Sequence, residues 1–152
     1  MPLNFSDTVP AAPSGKTNVK WQVDGDNNIS AYTDPPGGSS NPYDVVASYA
    51  GKPTAAALVL ILTHVRAVSF AANFSGSRGT LSANPTAAAT YTVKKNGTSI
   101  GTVAVSTGGV FTFATSGGAA QSFAAGDRMT VEAPSPADTT LADVGLTFAG
   151  TR

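Results

Sequence analysis

Apolar and polar residues alternate along most of the chain, and the clearest alternation covers residues 90–106, TYTVKKNGTSIGTVAVS. Asn96 and Gly97 divide this stretch into two strands, and Asn-Gly is the strongest short signal for a hairpin because both residues tolerate the positive φ of a type I′ turn. A two-residue turn would place Val93 opposite Ile100 on one face of the hairpin. We predict that this face is part of the core.

The alternation changes phase after Ile100, since the next apolar residues are Val103 and Val105. Gly101 lies at the change of phase, where a glycine typically marks a β-bulge that bends the outgoing strand. A bent hairpin with one buried face is typical of a β-sandwich.

Similar alternation, bounded by Gly or Pro, predicts further strands near 110–115, 127–133 and 142–151. The most apolar stretch, residues 56–70, reads AALVLILTHVRAVSF and is interpreted as a buried central strand and its continuation. We therefore predict an all-β protein with an antiparallel β-sandwich of jelly-roll or immunoglobulin-like type. The predicted core consists of Val93, Ile100, Val103, Phe111, Phe113, Val131, Leu146 and Phe148.

The first 50 residues differ in composition from the rest of the chain. They hold six of the ten prolines, the single Trp and three of the four Tyr, whereas six of the seven Phe follow residue 50. Alternation in NVKWQV and ISAYT predicts short strands near 18–23 and 29–33, and PPGGSSNP predicts a linker. We predict an extended N-terminal arm with a short hairpin at 1–50 and a β-sandwich domain at 51–152.

The arm has too few aliphatic residues to fold alone, so its aromatic side chains are predicted to bind a partner. These candidate partner-binding residues are Trp21, Tyr32, Tyr43 and Tyr49. Charge is divided in the same way, because residues 1–50 carry two basic and five acidic residues and the remainder carries seven and four. The net charge of zero argues against a nucleic-acid partner.

The chain length predicts one core, and only 12% of the residues are charged. Cysteine is absent, so thiolate metal sites and disulfides are excluded. The first residues, MPLNFSDTVP, lack the features of a secretion signal, and no apolar run is long enough to span a membrane. We expect synthesis in the cytosol without processing and no membrane span.

Two fragments resemble ligand-binding loops without completing them. PSGKTN ends like a phosphate-binding loop, but the first glycine of that motif would fall at Pro10. DGDNN has the spacing of a calcium loop at Asp24 and Asp26, but Ile29 replaces its turn glycine and Pro35 its final Glu. A plain hairpin loop explains the second fragment better.

Catalytic candidates are also weak. His64 is the single histidine and is interpreted as a satisfied strand residue, because no Gly-x-Ser-x-Gly elbow accompanies it and no Cys is near it. Asp127, Glu132, Asp138 and Asp143 could in principle supply a carboxylate pair, but a solvated rim is the simpler interpretation. We predict no enzymatic activity, no catalytic residue, no metal site and no cofactor.

Several blocks of the sequence resemble virion proteins of tailed bacteriophages. They are PSGKTNVKWQVDGDNNISAY, THVRAVSFAANFSGSRGT, YTVKKNGTSIGT, QSFAAGDRMTVEAPSPAD and TLADVGLTFAGTR. The resemblance implies a small tail- or head-associated component of fibre or decoration type, located in the virion and assembled in the cytoplasm of the bacterial host. No family catalytic residue accompanies it.

Two functions remain open. The first is a structural protein of capsid-decoration or head-fibre type, which docks through its arm and self-associates, with a trimer implied by the resemblance. The alternative is a receptor-binding tail-fibre module that recognises host surface glycans. A glycan-binding site would need exposed aromatic side chains beside Asp, Asn or Arg. In this chain the Trp and most Tyr residues lie in the arm instead. The structural role is therefore preferred.

Overall fold

A computed structural model describes residues 19–23, 29–33 and 41–152 of the chain. The chain divides into two units, residues 1–40 and 41–152. The described residues form twelve strands and two short 3-10 turns, the latter at Ala72–Phe74 and Ser116–Gly118. The strands are β1 (Val19–Val23), β2 (Ile29–Thr33), β3 (Pro42–Tyr49), β4 (Leu58–Thr63), β5 (Val68–Phe70), β6 (Arg78–Thr80), β7 (Ala89–Lys95), β8 (Thr98–Val105), β9 (Phe111–Thr115), β10 (Gln121–Phe123), β11 (Arg128–Glu132) and β12 (Val144–Thr151).

In the first unit, β1 and β2 form an antiparallel two-stranded sheet. The register places Trp21 opposite Ala31 and Lys20 opposite Tyr32. The strands predicted near 18–23 and 29–33 are confirmed. Among the described residues no third strand joins this sheet.

The second unit is a sandwich of two antiparallel sheets. The first sheet has the order β10-β5-β12-β3, with β6 also pairing with β12, and the second has the order β4-β11-β7-β8-β9. The pairs β3-β12, β4-β11 and β5-β10 are nested, because the outermost strands in the sequence pair with each other and the inner ones follow in turn. Nested pairing is typical of the jelly-roll form of the predicted sandwich.

The inner faces of both sheets form one core. Six of the eight predicted core residues are buried, and Phe111 and Phe113 are half-buried because they lie on β9, at an edge of the second sheet. Phe148 lies among aromatic rings, with centroid distances of 5.3 Å to Phe74 and 5.7 Å to Phe113. Such edge-to-face contacts add to the burial of apolar area.

The β7-β8 hairpin turns at Asn96 and Gly97, whose φ angles are 50° and 88°. The predicted bulge is confirmed, but it begins one residue earlier than the sequence suggests, so that Val93 pairs with Gly101 and not with Ile100. Glycine is required at position 101, because a Cβ atom there would lie 2.4 Å from the carbonyl oxygen of Ala114.

The interpretation of residues 56–70 as a buried central strand is wrong. β4 lies at an edge of the second sheet and pairs only with β11 among the described strands. After Thr63 the chain leaves this sheet and enters the first sheet as β5, with Val65 78% exposed in the crossing. The apolar run suggested burial on both faces, but the outer face of β4 is open to solvent.

The predicted boundary at residue 50 also needs correction. β3 lies within the predicted arm, yet it pairs with β12 along its whole length. Its sequence, PYDVVASY, alternates with period two, and Val45 and Ala47 are buried in the core. The sandwich therefore begins at residue 41, where the backbone N–H of Asn41 donates to the carbonyl of Arg152 at 3.0 Å.

Candidate binding surfaces

The four predicted partner-binding residues lie on three different strands. Trp21 is in β1 and Tyr32 is in β2, and their side chains lie outside the described part of the structure, so their role stays a prediction. Tyr43 and Tyr49 are in β3, within the sandwich. The structure therefore divides the four residues between two units.

Tyr43 and Tyr49 are half-buried and pack against the core. The Tyr43 ring lies 6.1 Å from the His64 ring, and the Arg152 guanidinium lies 6.0 Å from its centroid. Because these rings already contact the protein's own core, only part of each is available to a partner. Their burial follows from the alternation of β3, which places Tyr43 and Tyr49 on the same face as Val45.

His64 follows the end of β4 and is fully buried. Its ring lies 4.6 Å from the Phe123 ring and 6.2 Å from the Phe70 ring. Neither ring nitrogen has a hydrogen-bond partner among the described residues. The interpretation as a satisfied strand residue is therefore wrong. The backbone is satisfied, because the His64 N–H donates to the Asp127 carbonyl and its carbonyl accepts from the Gly126 N–H.

Burial lowers the pKa of His64, because desolvation disfavours the imidazolium, and the negative charge of Asp127 opposes this shift. A neutral imidazole surrounded by aromatic rings fills space much as a phenyl ring would. Protonation of His64 would bring a cation into an apolar site, so the neutral form is favoured.

A polar network beside His64 joins the β7-β8 turn to the loop before β11. The Asp127 carboxylate accepts from the Asn96 side chain at 2.7 Å and from the Ala124 N–H at 2.7 Å, and lies 3.0 Å from the Lys95 ammonium. These contacts, with Asn96 first, lower the pKa of Asp127 to about 2. The Asn96 side-chain oxygen accepts from the Arg128 N–H at 2.8 Å. The network fixes two loops to each other.

The other three carboxylates have similar structural roles. Asp138 accepts from the Leu141 and Thr140 N–H groups, each at 2.8 Å, and these bonds hold the pKa of Asp138 well below its usual range. Asp143 accepts from the Gly51 N–H, and Glu132 pairs with the Lys94 ammonium. Each carboxylate is held by a different set of donors, so Asp138 and Asp143 fix loops and Glu132 joins β11 to β7, while all three stay at least partly exposed, as the solvated rim predicted from the sequence requires.

Metal sites, ligand-binding loops and membrane-spanning helices are the remaining candidates. In the described ranges no three His, Asp or Glu side chains gather in a way that could hold a metal ion. The two fragments that resemble ligand loops, PSGKTN and DGDNN, lie outside the described residues. Within the described part there is no helix long and apolar enough to cross a membrane.

Shallow grooves lie on the sandwich. One of about 320 Å³ lies between residues 87–90 and 134–138, and Asp138 in its lining is already held by Thr140 and Leu141. A groove of about 250 Å³ runs beside Val46 and Arg78 on the outer face of the first sheet, and one of about 280 Å³ lies near Ser69 and Ala149. Their linings are mostly small and uncharged, which suits contact with a protein surface better than recognition of a charged ligand.

Comparison with known protein families, with curated protein sequences and with solved structures finds no match to this chain. Two features of the site were missed by reasoning from the sequence. The open edge of β4 depends on which strands pair with it, and the burial of His64 depends on Phe123 and Phe70, which are distant in sequence. The apolar run beside His64 was an available signal for the burial of His64, whereas for β4 it indicated a central strand and not an edge.

Proposed function

We propose that this protein is a non-enzymatic structural component of a bacteriophage virion, of capsid-decoration or head-fibre type. In this proposal it docks through its N-terminal segment and associates with further copies of itself. The sequence resemblance supports the phage setting and suggests a trimer. The sandwich supports a structural role, because the four carboxylates considered as catalytic candidates fix loops or pair with lysine.

The observation that carries the proposal is that the sheet of β1 and β2 has only two strands among the described residues. A two-stranded hairpin is marginally stable in water and needs a third strand or a packed face. The sheet has five residues in each strand, includes Trp21 and Tyr32, and pairs with no further strand among the described residues. Another virion protein would supply the missing surface.

Charge supports a partner of this kind. With the boundary at residue 40, the N-terminal unit carries two basic and four acidic residues, and the sandwich carries seven basic and five acidic. The N-terminal unit is thus acidic, so a basic surface on the particle would attract it. Attachment should then weaken as the salt concentration rises.

The alternative remains a tail-fibre module that recognises host surface glycans. It is favoured by the tip of the sandwich, where Lys95, Asn96 and Asp127 lie together with the exposed turn glycine, Gly97. Each of these side chains already has a partner within the network, so the structural role is preferred.

Deletion of residues 1–40 tests the proposed docking. The truncated chain should remain a folded β-sandwich, because the unit 41–152 contains both sheets of the sandwich and all of the described core residues, but it should no longer bind particles. Circular dichroism and cosedimentation with particles that lack this protein measure the two outcomes. Retained particle binding by the truncated chain would contradict docking through the N-terminal segment.

A single substitution refines the test. If Trp21 is a buried anchor, Trp21→Ala should weaken particle binding by about 2 kcal/mol or more, whereas the next residue in the strand, changed as Gln22→Ala, should have a much smaller effect. Unfolding of the sandwich should be the same in both variants. Equal binding by the two variants would remove Trp21 from the interface.

A further inference from the structure

We propose that β4 pairs in antiparallel orientation with β4 of a second copy, so that the second sheets of two sandwiches join across a two-fold axis at Ile61. β4 pairs with β11 on one side and with no described strand on the other. Its sequence, LVLILT, contains neither a charge nor a proline. An unprotected edge of this kind is a template for pairing with another strand.

The other edges of the sandwich are protected. β3 begins with Pro42 and carries the exposed Asp44, β10 has only three residues, and β6 has three residues that include the exposed Arg78. The end of β9 is closed by Asn73, whose N–H donates to the Thr115 hydroxyl at 2.9 Å and whose side chain accepts from the Thr115 N–H at 3.3 Å. Within residues 41–152, β4 is therefore the edge that lacks both charge and cover.

Exposed apolar side chains mark the same strand. Ile61 is 62% exposed and Leu58 is 47% exposed, whereas Leu60 and Leu62 are half-buried against the core. A solvent-exposed Ile on an open edge is unfavourable for an isolated chain, because both its apolar surface and the backbone groups of the edge are left to water. Pairing with another strand would satisfy the backbone groups of the edge and would cover part of the Ile61 side chain with its opposite neighbour.

The faces of β4 restrict the register of such a pair. Residues directly opposite each other in an antiparallel pair point to the same face. Centring the pair on Ile61 places Ile61 opposite Ile61 of the second copy on the outer faces and Leu60 opposite Leu62 on the inner faces. Centring it on Leu60 would use the part of β4 where the register with β11 shifts, between the pairs Leu60–Val131 and Leu58–Glu132.

The charged residues that pair with β4 lie on β11, one strand away from the proposed seam, and they do not oppose a second copy in this orientation. Arg128 lies opposite Thr63 at one end of β4, and Glu132 lies opposite Leu58 at the other end. Antiparallel pairing brings the Arg128 end of one copy towards the Glu132 end of the other. The strand itself is uncharged, so self-pairing brings no like charges together within the seam.

The absence of cysteine from the chain allows a direct test on the full-length protein. In the proposed pair, the Cα atoms of two directly opposite residues would be about 4.5 to 5.5 Å apart, within the range that a disulfide spans. Ile61→Cys should therefore form a covalent dimer under mild oxidation. The matched control is Thr63→Cys on the same strand and face: two such residues would be about 13 Å apart and should not cross-link.

Equal cross-linking by both variants would refute the register, and its absence in Ile61→Cys would overturn the inference. Loss of the Ile61→Cys cross-link on deletion of residues 1–40 would also overturn it, because the N-terminal segment would then be needed for the contact.

A second measurement does not depend on oxidation. Sedimentation of the full chain should show a reversible association of chains in pairs, giving a dimer, or a hexamer if the proposed trimer also forms. Ile61→Lys should raise the dissociation constant of this pairing at least about tenfold by placing two like charges opposite each other. Val110→Lys is the control, because Val110 is 64% exposed but lies outside β4. A wild-type monomer at about 1 mM, or an assembly that Ile61→Lys leaves intact, would overturn the inference. Ile61→Lys should still bind particles, because docking through the N-terminal segment does not require the β4 contact. Particle binding therefore tests the proposed function independently of this inference.

Discussion

Replacing His64 by phenylalanine should stabilise the sandwich. The imidazole is fully buried beside Phe123 and Phe70, and neither nitrogen has a hydrogen-bond partner among the described residues. A buried polar group without a partner costs about 1–3 kcal/mol, and a phenyl ring of similar shape carries no such cost. We therefore expect His64→Phe to raise the free energy of unfolding at pH 7.5 by about 1–2 kcal/mol, with the larger ring reducing the gain.

The same substitution should remove a pH dependence. The pKa of His64 is lowered in the folded protein, so the unfolded chain binds a proton more readily and stability falls as pH decreases below the ordinary value of 6.5. His64 is the single histidine, so the wild-type loss between pH 7.5 and pH 5 should be absent in His64→Phe.

Urea unfolding followed by circular dichroism at pH 7.5 and pH 5 measures both effects. His64→Ala is the control for volume, and it should destabilise the protein because it leaves a cavity among the aromatic rings. A less stable His64→Phe variant would show that the imidazole nitrogens are satisfied. An unchanged pH dependence in that variant would show that another group titrates.

Two further predictions concern the loops and the bulge. Gly101→Ala should destabilise the sandwich by about 1–3 kcal/mol, because its Cβ would lie 2.4 Å from the Ala114 carbonyl oxygen, and Gly108→Ala, whose nearest contact would be 3.7 Å, should have little effect in the same urea titration. Equal effects would mean that the β8-β9 contact relaxes. Asp127 has its pKa lowered to about 2, so it contributes stability above pH 3.8 that is lost as pH falls towards 2. The difference in melting temperature between wild type and Asp127→Asn should therefore shrink from pH 5 to pH 2, and a constant difference would contradict this role of the carboxylate.

The fold class and the central hairpin followed directly from the sequence, because they depend on local signals. Alternation with period two identified the strands, and Asn96-Gly97 specified a turn that only residues tolerating positive φ can form. The bulge was also visible, since Gly101 lies where the apolar positions change phase. The predicted register was wrong by one residue. The position of a bulge depends on contacts with the neighbouring strand, here β9, and the sequence of the hairpin does not show these contacts.

The boundary of the sandwich was less visible. Composition placed β3 with the arm, because Pro42, Tyr43 and Tyr49 resemble the residues before them. What assigns β3 to the sandwich is its pairing with β12, about 100 residues later in the chain. Pairing at this separation leaves no local signal, so Tyr43 and Tyr49 were predicted as partner-binding residues although their rings pack against the core.

The same reasoning explains why the proposed contact through β4 could not be predicted from the sequence. An uninterrupted apolar run favours burial on both faces, and an edge strand is distinguished from a central one only by the number of its neighbours. The structure gives β4 one neighbour, β11, while its residues keep the composition of a strand with two. β4 thus has the composition of a central strand but the position of an edge strand, which supports the proposed pairing with a further strand. A second copy of β4 presents matching faces and brings no like charges into the seam.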